Sequence, residues 1–132
     1  MLTKGLHHLG LTINSLTEAK LFFIELLGWQ LVKEESHYPA AFVSDGTILI
    51  TLWKVKKYPA TAFSRQENIG LHHFAINTNQ QEFHTIYQKL TCSQFTIEFG
   101  PQLLRSGPAQ HFIVNGPSNI RIEFINFPKQ EY

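Results

Sequence analysis

The sequence predicts an α+β fold of two paired βαβββ modules, their strands forming a curved mixed sheet around a cleft and their helices lying on the outer face. Three observations carry that expectation. A phrase is written twice, Gly5-Leu6-His7-His8-Leu9-Gly10-Leu11 and Gly70-Leu71-His72-His73-Phe74-Ala75-Ile76. Each copy is followed by a segment with helical spacing of apolar residues, and then by three short alternating segments. The chain is also long enough, at 132 residues with 43% hydrophobic content, to bury one real core.

The elements follow in order. The first strand runs from Leu6 to Ile13, where Leu9, Leu11 and Ile13 alternate with His8, Gly10 and Thr12. Ser15 and Glu18 have the spacing of a capping box, and Ala19, Phe22, Phe23, Leu26 and Leu27 recur on one helical face. Gly28 is placed to end that helix as a left-handed cap. Strands are expected at Trp29 to Lys33, Ala41 to Ser44 and Thr47 to Trp53, with Asp45-Gly46 turning between the last two.

The second copy opens at Leu71 to Asn77 and continues into a helix capped by Asn79, with Glu82 at the third position and Phe83, Ile86, Tyr87 and Leu90 on its apolar face. Strands return at Phe95 to Phe99, at His111 to Val114 after a loop rich in Gly and Pro, and at Ile120 to Ile125 after the turn Gly116-Pro117-Ser118-Asn119. One domain is expected over residues 5–127, with module one at about 5–54, a connector at about 55–69 and module two at about 70–127.

Composition narrows the function classes. A net charge of +1 leaves no broad basic face for nucleic acid, and Lys54, Lys56 and Lys57 read as a solvated connector. No apolar run approaches a membrane span, and the start of the chain has no signal-peptide core, so a cytoplasmic protein is expected. Cys92 has no basic or histidine neighbour in sequence to mark it as a nucleophile.

Strand parity locates candidate chemistry. If the helix covers the face carrying Leu9, Leu11 and Ile13, His8 points into the cleft, and the same alternation sends His73 there with Ala75 and Asn77. On the last strand Ile120, Ile122 and Phe124 form the buried stripe, which turns Glu123 to the cleft. Two imidazoles and one carboxylate make a facial set suited to one divalent ion, Fe(II), Mn(II), Ni(II) or Zn(II), with open positions for a small-molecule substrate. Aligning the two copies puts Thr51 opposite Glu123, so a second carboxylate is missing and three protein ligands are expected.

These residues carry a resemblance. The pattern His8-Leu-Gly-Leu, the helix end Phe22-Phe23-x-x-Leu26-Leu27-Gly28-Trp29, and Gly-Pro-Ser-Asn119-Ile-Arg121-Ile-Glu123-Phe124 resemble the vicinal oxygen chelate superfamily, which includes glyoxalase I, bleomycin-resistance proteins, fosfomycin-resistance transferases and extradiol dioxygenases. The resemblance implies metal ligands on the first and last strands of each module, at His8, Thr51, His73 and Glu123. With threonine at position 51, the set is similar to the two-His-one-Glu arrangement of extradiol dioxygenases and fosfomycin-resistance enzymes. The tail Phe124-Ile-Asn-Phe-Pro-Lys129 lacks the arginine that the fosfomycin enzymes use for phosphonate.

Further expectations attach to single residues. His111 shares parity with Ile113 and is a candidate general acid or base, with a polar strand end as the plain alternative. Arg105 lies in Gly100 to Pro108, a stretch suited to a mobile lid, where it would clamp a carboxylate or remain solvated. Trp53 shares the face of Thr51, and both are candidate substrate contacts, Trp53 as an aromatic wall. His7, His72, His37 and His84 read as structural histidines, and His37 and Tyr38 have no assigned place. The expectation is a homodimer that uses its metal for glyoxalase-like, thiol-transfer or dioxygenase chemistry. The competing reading is a module that sequesters a small molecule without chemistry.

Overall fold

A computed structural model describes residues 1–128 and divides into two compact units, Met1–Thr61 and a second beginning at Ala62. The division falls inside the expected connector. Lys129 of the quoted tail lies outside the described residues.

The first unit runs β1 (His8–Ile13), α1 (Leu16–Lys20), a π-helical continuation (Leu21–Leu26), β2 (Gln30–Glu35), β3 (Ala40–Ser44) and β4 (Leu49–Lys54). Its sheet has the order β1-β4-β3-β2, with β1 and β4 parallel and the other pairs antiparallel. The Ser15 hydroxyl accepts from the Glu18 amide at 3.1 Å and starts the helix. The expected uniform α-helix instead widens after Lys20, with Leu27 N–H bonding to Phe22 O and Trp29 N–H to Phe23 O. Gly28, at φ +73°, reverses the chain without a Cβ penalty. Ala19, Phe22 and Phe23 are buried with Leu11, Ile13, Val43, Ile50 and Leu52, while Leu9, Leu26 and Leu27 of the expected apolar faces are only half-buried. Each of the buried large side chains contributes roughly 1.5–3 kcal/mol.

The second unit repeats the plan as β5 (Phe74–Thr78), α2 (Gln80–Thr91), β6 (Thr96–Leu103), β7 (Gln110–Asn115), a short 3-10 turn (Pro117–Asn119) and β8 (Arg121–Asn126). The order β5-β8-β7-β6 copies the first sheet strand for strand. A full capping box opens α2: Glu82 N–H donates to Asn79 Oδ1 and Asn79 N–H to Glu82 Oε2, each at 2.8 Å. Beneath the helix, Phe83, Tyr87, Phe112 and Phe124 form one aromatic core with Phe112 and Phe124 stacked at 5.1 Å.

Of the boundaries that differ from the sequence expectation, two bear on the candidate residues and have physical reasons. β5 starts at Phe74, after both histidines, because its register with β8 begins at Phe74↔Ile122. β6 continues through Gly100 and Pro101 to Leu103, which were expected in a loop. Bulges between Ile97 and Phe99 and between Phe99 and Gln102 absorb the glycine and the proline without breaking the pairing with β7. The remaining turn is closed by Leu104 N–H to Ala109 O and Gly107 N–H to Leu104 O, so Arg105 sits exposed at the tip of a hydrogen-bonded hairpin. No helix among the described residues is long and apolar enough to cross a membrane.

Candidate metal centre

Register is what places the candidate residues. Gly10 pairs with Thr51 in the first unit and Ala75 with Glu123 in the second, so Thr51 is the structural counterpart of Glu123 and His8 that of His73. The same comparison, Phe42↔Thr51 against Ile113↔Glu123, makes Ala40 the counterpart of His111. Thr51 is buried and accepts a hydrogen bond from Trp53 Nε1 at 2.9 Å, while Trp53 packs against Tyr38 and Phe42. The first unit thus has a hydroxyl in an aromatic setting where the second has a carboxylate held by histidines.

On the open face of the second sheet, His73, His111 and Glu123 come together. His73 Nε2 lies 3.1 Å from Glu123 Oε2, and His111 Nδ1 lies 3.1 Å from Glu123 Oε1. His111 is buried and its ring stands edge-on to Phe99 at 5.3 Å, so its orientation is set by packing as well as by the carboxylate. The His73 side chain remains 36% exposed, which leaves its edge of the carboxylate accessible. The two imidazoles grip opposite oxygens of one carboxylate. Among the described residues no group of three His, Cys, Asp or Glu side chains is placed to hold a metal ion.

Arg121 decides the proton position on His72. Its guanidinium donates to Glu98 Oε2 from Nε at 2.9 Å and from Nη2 at 2.8 Å, and Arg65 reaches Glu98 Oε1 at 3.5 Å. Arg121 Nη1 also lies 3.2 Å from His72 Nδ1, and an arginine can only donate, so His72 Nδ1 is an acceptor. His73 Nδ1 lies 2.7 Å from that same atom. Loss of hydration and, next, the Arg121 charge hold His72 below the ordinary histidine pKa, which agrees with a neutral acceptor ring.

His73 Nε2 faces Glu123 Oε2 at 3.1 Å, a separation that an N–H···O hydrogen bond spans and that two atoms ligating one metal ion also have. The chemistry of this imidazole–carboxylate pair fits a metal. Ligand distances of about 2.0–2.2 Å at right angles put neighbouring donor atoms about 3 Å apart, and a ligating histidine normally donates its other N–H to a second group. His72 and His111 supply those outer contacts, to His73 and Glu123 respectively.

The sequence-derived ligand set draws on both units. The second unit assembles His73 and Glu123, whereas His8 belongs to the first, where its Nδ1 lies 2.9 Å from that of His7. Sequence reasoning passed over Arg121 and Glu98. Arg121 was within reach, because it has the parity of Glu123 on β8, but Glu98 depends on the β6 bulge and has no sequence signal.

The comparisons with known proteins agree with this architecture. A search of the curated proteins finds no match. Among solved structures, the chain is similar to a glyoxylase/bleomycin resistance protein/dioxygenase domain from Frankia sp. EAN1pec, with TM-score 0.83 and 17% identity over 98% of this chain and 96% of that one. It is similar also to a glyoxalase family protein from Enterococcus faecalis, with TM-score 0.76 and 18% identity over 95% and 99% of the two chains. A third is the fosfomycin resistance protein FosX from Listeria monocytogenes, with TM-score 0.74 and 12% identity over 95% and 94%. At such identities these likenesses speak to the fold. A family model matches residues 5–124, and the chain therefore belongs to the glyoxalase/bleomycin resistance protein/dioxygenase superfamily.

Proposed function

We propose that this protein is a divalent-metal-dependent enzyme acting on a small oxygenated molecule, with His73, Glu123 and His8 as the protein ligands. The observation that carries the reading is His73 Nε2 set 3.1 Å from one oxygen of the Glu123 carboxylate while His111 holds the other. His8 is the third ligand by its register equivalence to His73, contributed by the same chain or by a second copy in a homodimer. Fe(II), Mn(II), Ni(II) and Zn(II) all suit two imidazoles and one carboxylate.

When bound, the metal would supply Lewis-acid stabilisation of negative charge developing on two chelating substrate oxygens. The chain's own residues do the rest. His111 holds Oε1 of Glu123, so it acts as a positioning residue that keeps Oε2 on the open side. Arg121 keeps His72 Nδ1 an acceptor beside His73. Thr51 and Trp53, with Phe42 beside them, offer an apolar and hydroxyl-bearing contact surface for substrate. The reaction class, whether isomerisation, thiol transfer or oxygen insertion, follows from the metal and the substrate that fill the open positions.

The aromatic setting of Thr51 favours one second reading, a module that sequesters a planar small molecule without chemistry. Metal analysis separates the two. Protein purified without chelator is expected to hold stoichiometric divalent metal, and His73→Ala, Glu123→Gln and His8→Ala are each expected to weaken Zn(II) or Mn(II) binding at least about tenfold. Absence of stoichiometric metal, together with unchanged affinity in those variants, refutes the enzyme reading in favour of sequestration.

A further inference from the structure

We propose that the first unit carries a second ligand site, a cavity of about 460 Å³ that takes a small aromatic carboxylate. The cavity forms where the loop between β2 and β3 meets the chain leaving β4. Lys54 N–H bonds to Pro39 O at 2.9 Å and Val55 N–H to Ile13 O at 2.8 Å, so three backbone segments are tied together around it. The sequence alone left His37 and Tyr38 without a place and read Lys54 and Lys56 as solvated; all four line this one cavity.

Its chemistry is one-sided. Lys54, Lys56, His37 and Asn14 bring donors, and none of the lining residues is acidic. Lys20 and Lys33 of the same unit are paired with Glu34 and Glu35, whereas neither Lys54 nor Lys56 has a carboxylate partner among the described residues. Two lysines without a carboxylate partner in the lining of one cavity select an anion.

The walls select its body. The Tyr38 ring stands edge-on to Trp53 at 5.3 Å and holds the Lys56 ammonium 4.5 Å from its centre, so it is already fixed as a flat surface. Tyr58, 91% exposed as a residue, lines the cavity together with Pro39 and Val55. A volume of this size lies in the range of small-molecule sites, and a planar apolar body with one carboxylate matches both the rings and the lysines. The site shares no residue with His8, His73 or Glu123.

Titration of the ¹⁵N-labelled chain with benzoate tests the site. Saturable shifts are expected at the amides of Tyr38, Val55 and Lys56, with half-saturation at or below about 1 mM. Benzamide and inorganic phosphate, lacking the charge and the ring respectively, are expected to bind at least about tenfold more weakly. Lys54→Met with Lys56→Met lowers benzoate affinity by at least about tenfold, while the double arginine replacement and Glu123→Gln leave it within about twofold. Shifts that fail to saturate by about 10 mM, equal binding of benzamide or phosphate, or an unchanged affinity in the double methionine variant each overturn the proposal. Loss of the benzoate shifts in Glu123→Gln would assign them to the metal centre, and that also overturns it.

Discussion

Replacing Gly100 with alanine tests how β6 is laid against the centre. Gly100 has φ +90°, and a Cβ built there would meet His111 O at 2.7 Å and the Cα and Cβ of Phe112 at 2.9 Å, closer than real contacts allow. Gly107 is a matched control: it has φ +80°, it also precedes a proline, and its Cβ would meet Leu103 side-chain atoms no nearer than 3.5 Å. The left-handed backbone costs an alanine roughly 1–2 kcal/mol at either position. Only Gly100→Ala adds the overpacking term, about 1–3 kcal/mol, because the clashing atoms are backbone and cannot rotate away. Gly107→Ala is thus expected to lose about 1–2 kcal/mol and Gly100→Ala about 2–5 kcal/mol. Urea unfolding followed at β7 amide resonances reads the second unit. Trp29 and Trp53, both in the first unit, provide an internal reference by fluorescence. If the two variants differ by less than about 0.5 kcal/mol, the close approach of Gly100 to the His111 backbone is refuted.

Three further outcomes follow from the same contacts. His111→Phe keeps the packing on Phe99 but removes the donor to Glu123 Oε1, and is expected to weaken Zn(II) or Mn(II) binding about 10–100-fold in a competition titration without loss of fold. In metal-free protein, NMR titration should find His72 below the ordinary histidine pKa, and Arg121→Met should move it back up. Because the folded value is the lower one, the stability contribution of His72 is complete above the unfolded pKa and is lost as pH falls through the folded pKa. Asn79→Ala removes the side-chain acceptor of the α2 capping box and should cost about 1 kcal/mol in urea unfolding of the second unit.

Much of the fold was legible because its determinants are local. Alternation in Leu9, Leu11 and Ile13 and in Ile122 and Phe124 marks which sheet face a helix covers, and the residues at Ser15, Asn79 and Gly28 satisfy or end helices through their own neighbours. Where geometry depends on a partner strand, the reading failed. Gly100 and Pro101 resemble loop residues in isolation, yet paired with β7 they become bulged strand, and the loop around Arg105 shortens to a hairpin tip. The π-helical turns from Leu21 to Leu26 left no mark in the apolar spacing, which suits a wide or a regular turn alike.

The candidate site divides the same way. The sequence by itself determined the residue types and their parity: two His-His pairs, one glutamate opposite a threonine, and hence a carboxylate in one module only. Tertiary structure alone decided that His111 serves Glu123, that Arg121 reaches His72 from β8, and that Lys54 and Lys56 share a cavity with Tyr38. Parity is a property of one strand, carried by the period of the backbone itself. Proton position and ligand charge depend on side chains 12 to 49 residues apart in sequence, and only the closed sheet brings those into contact.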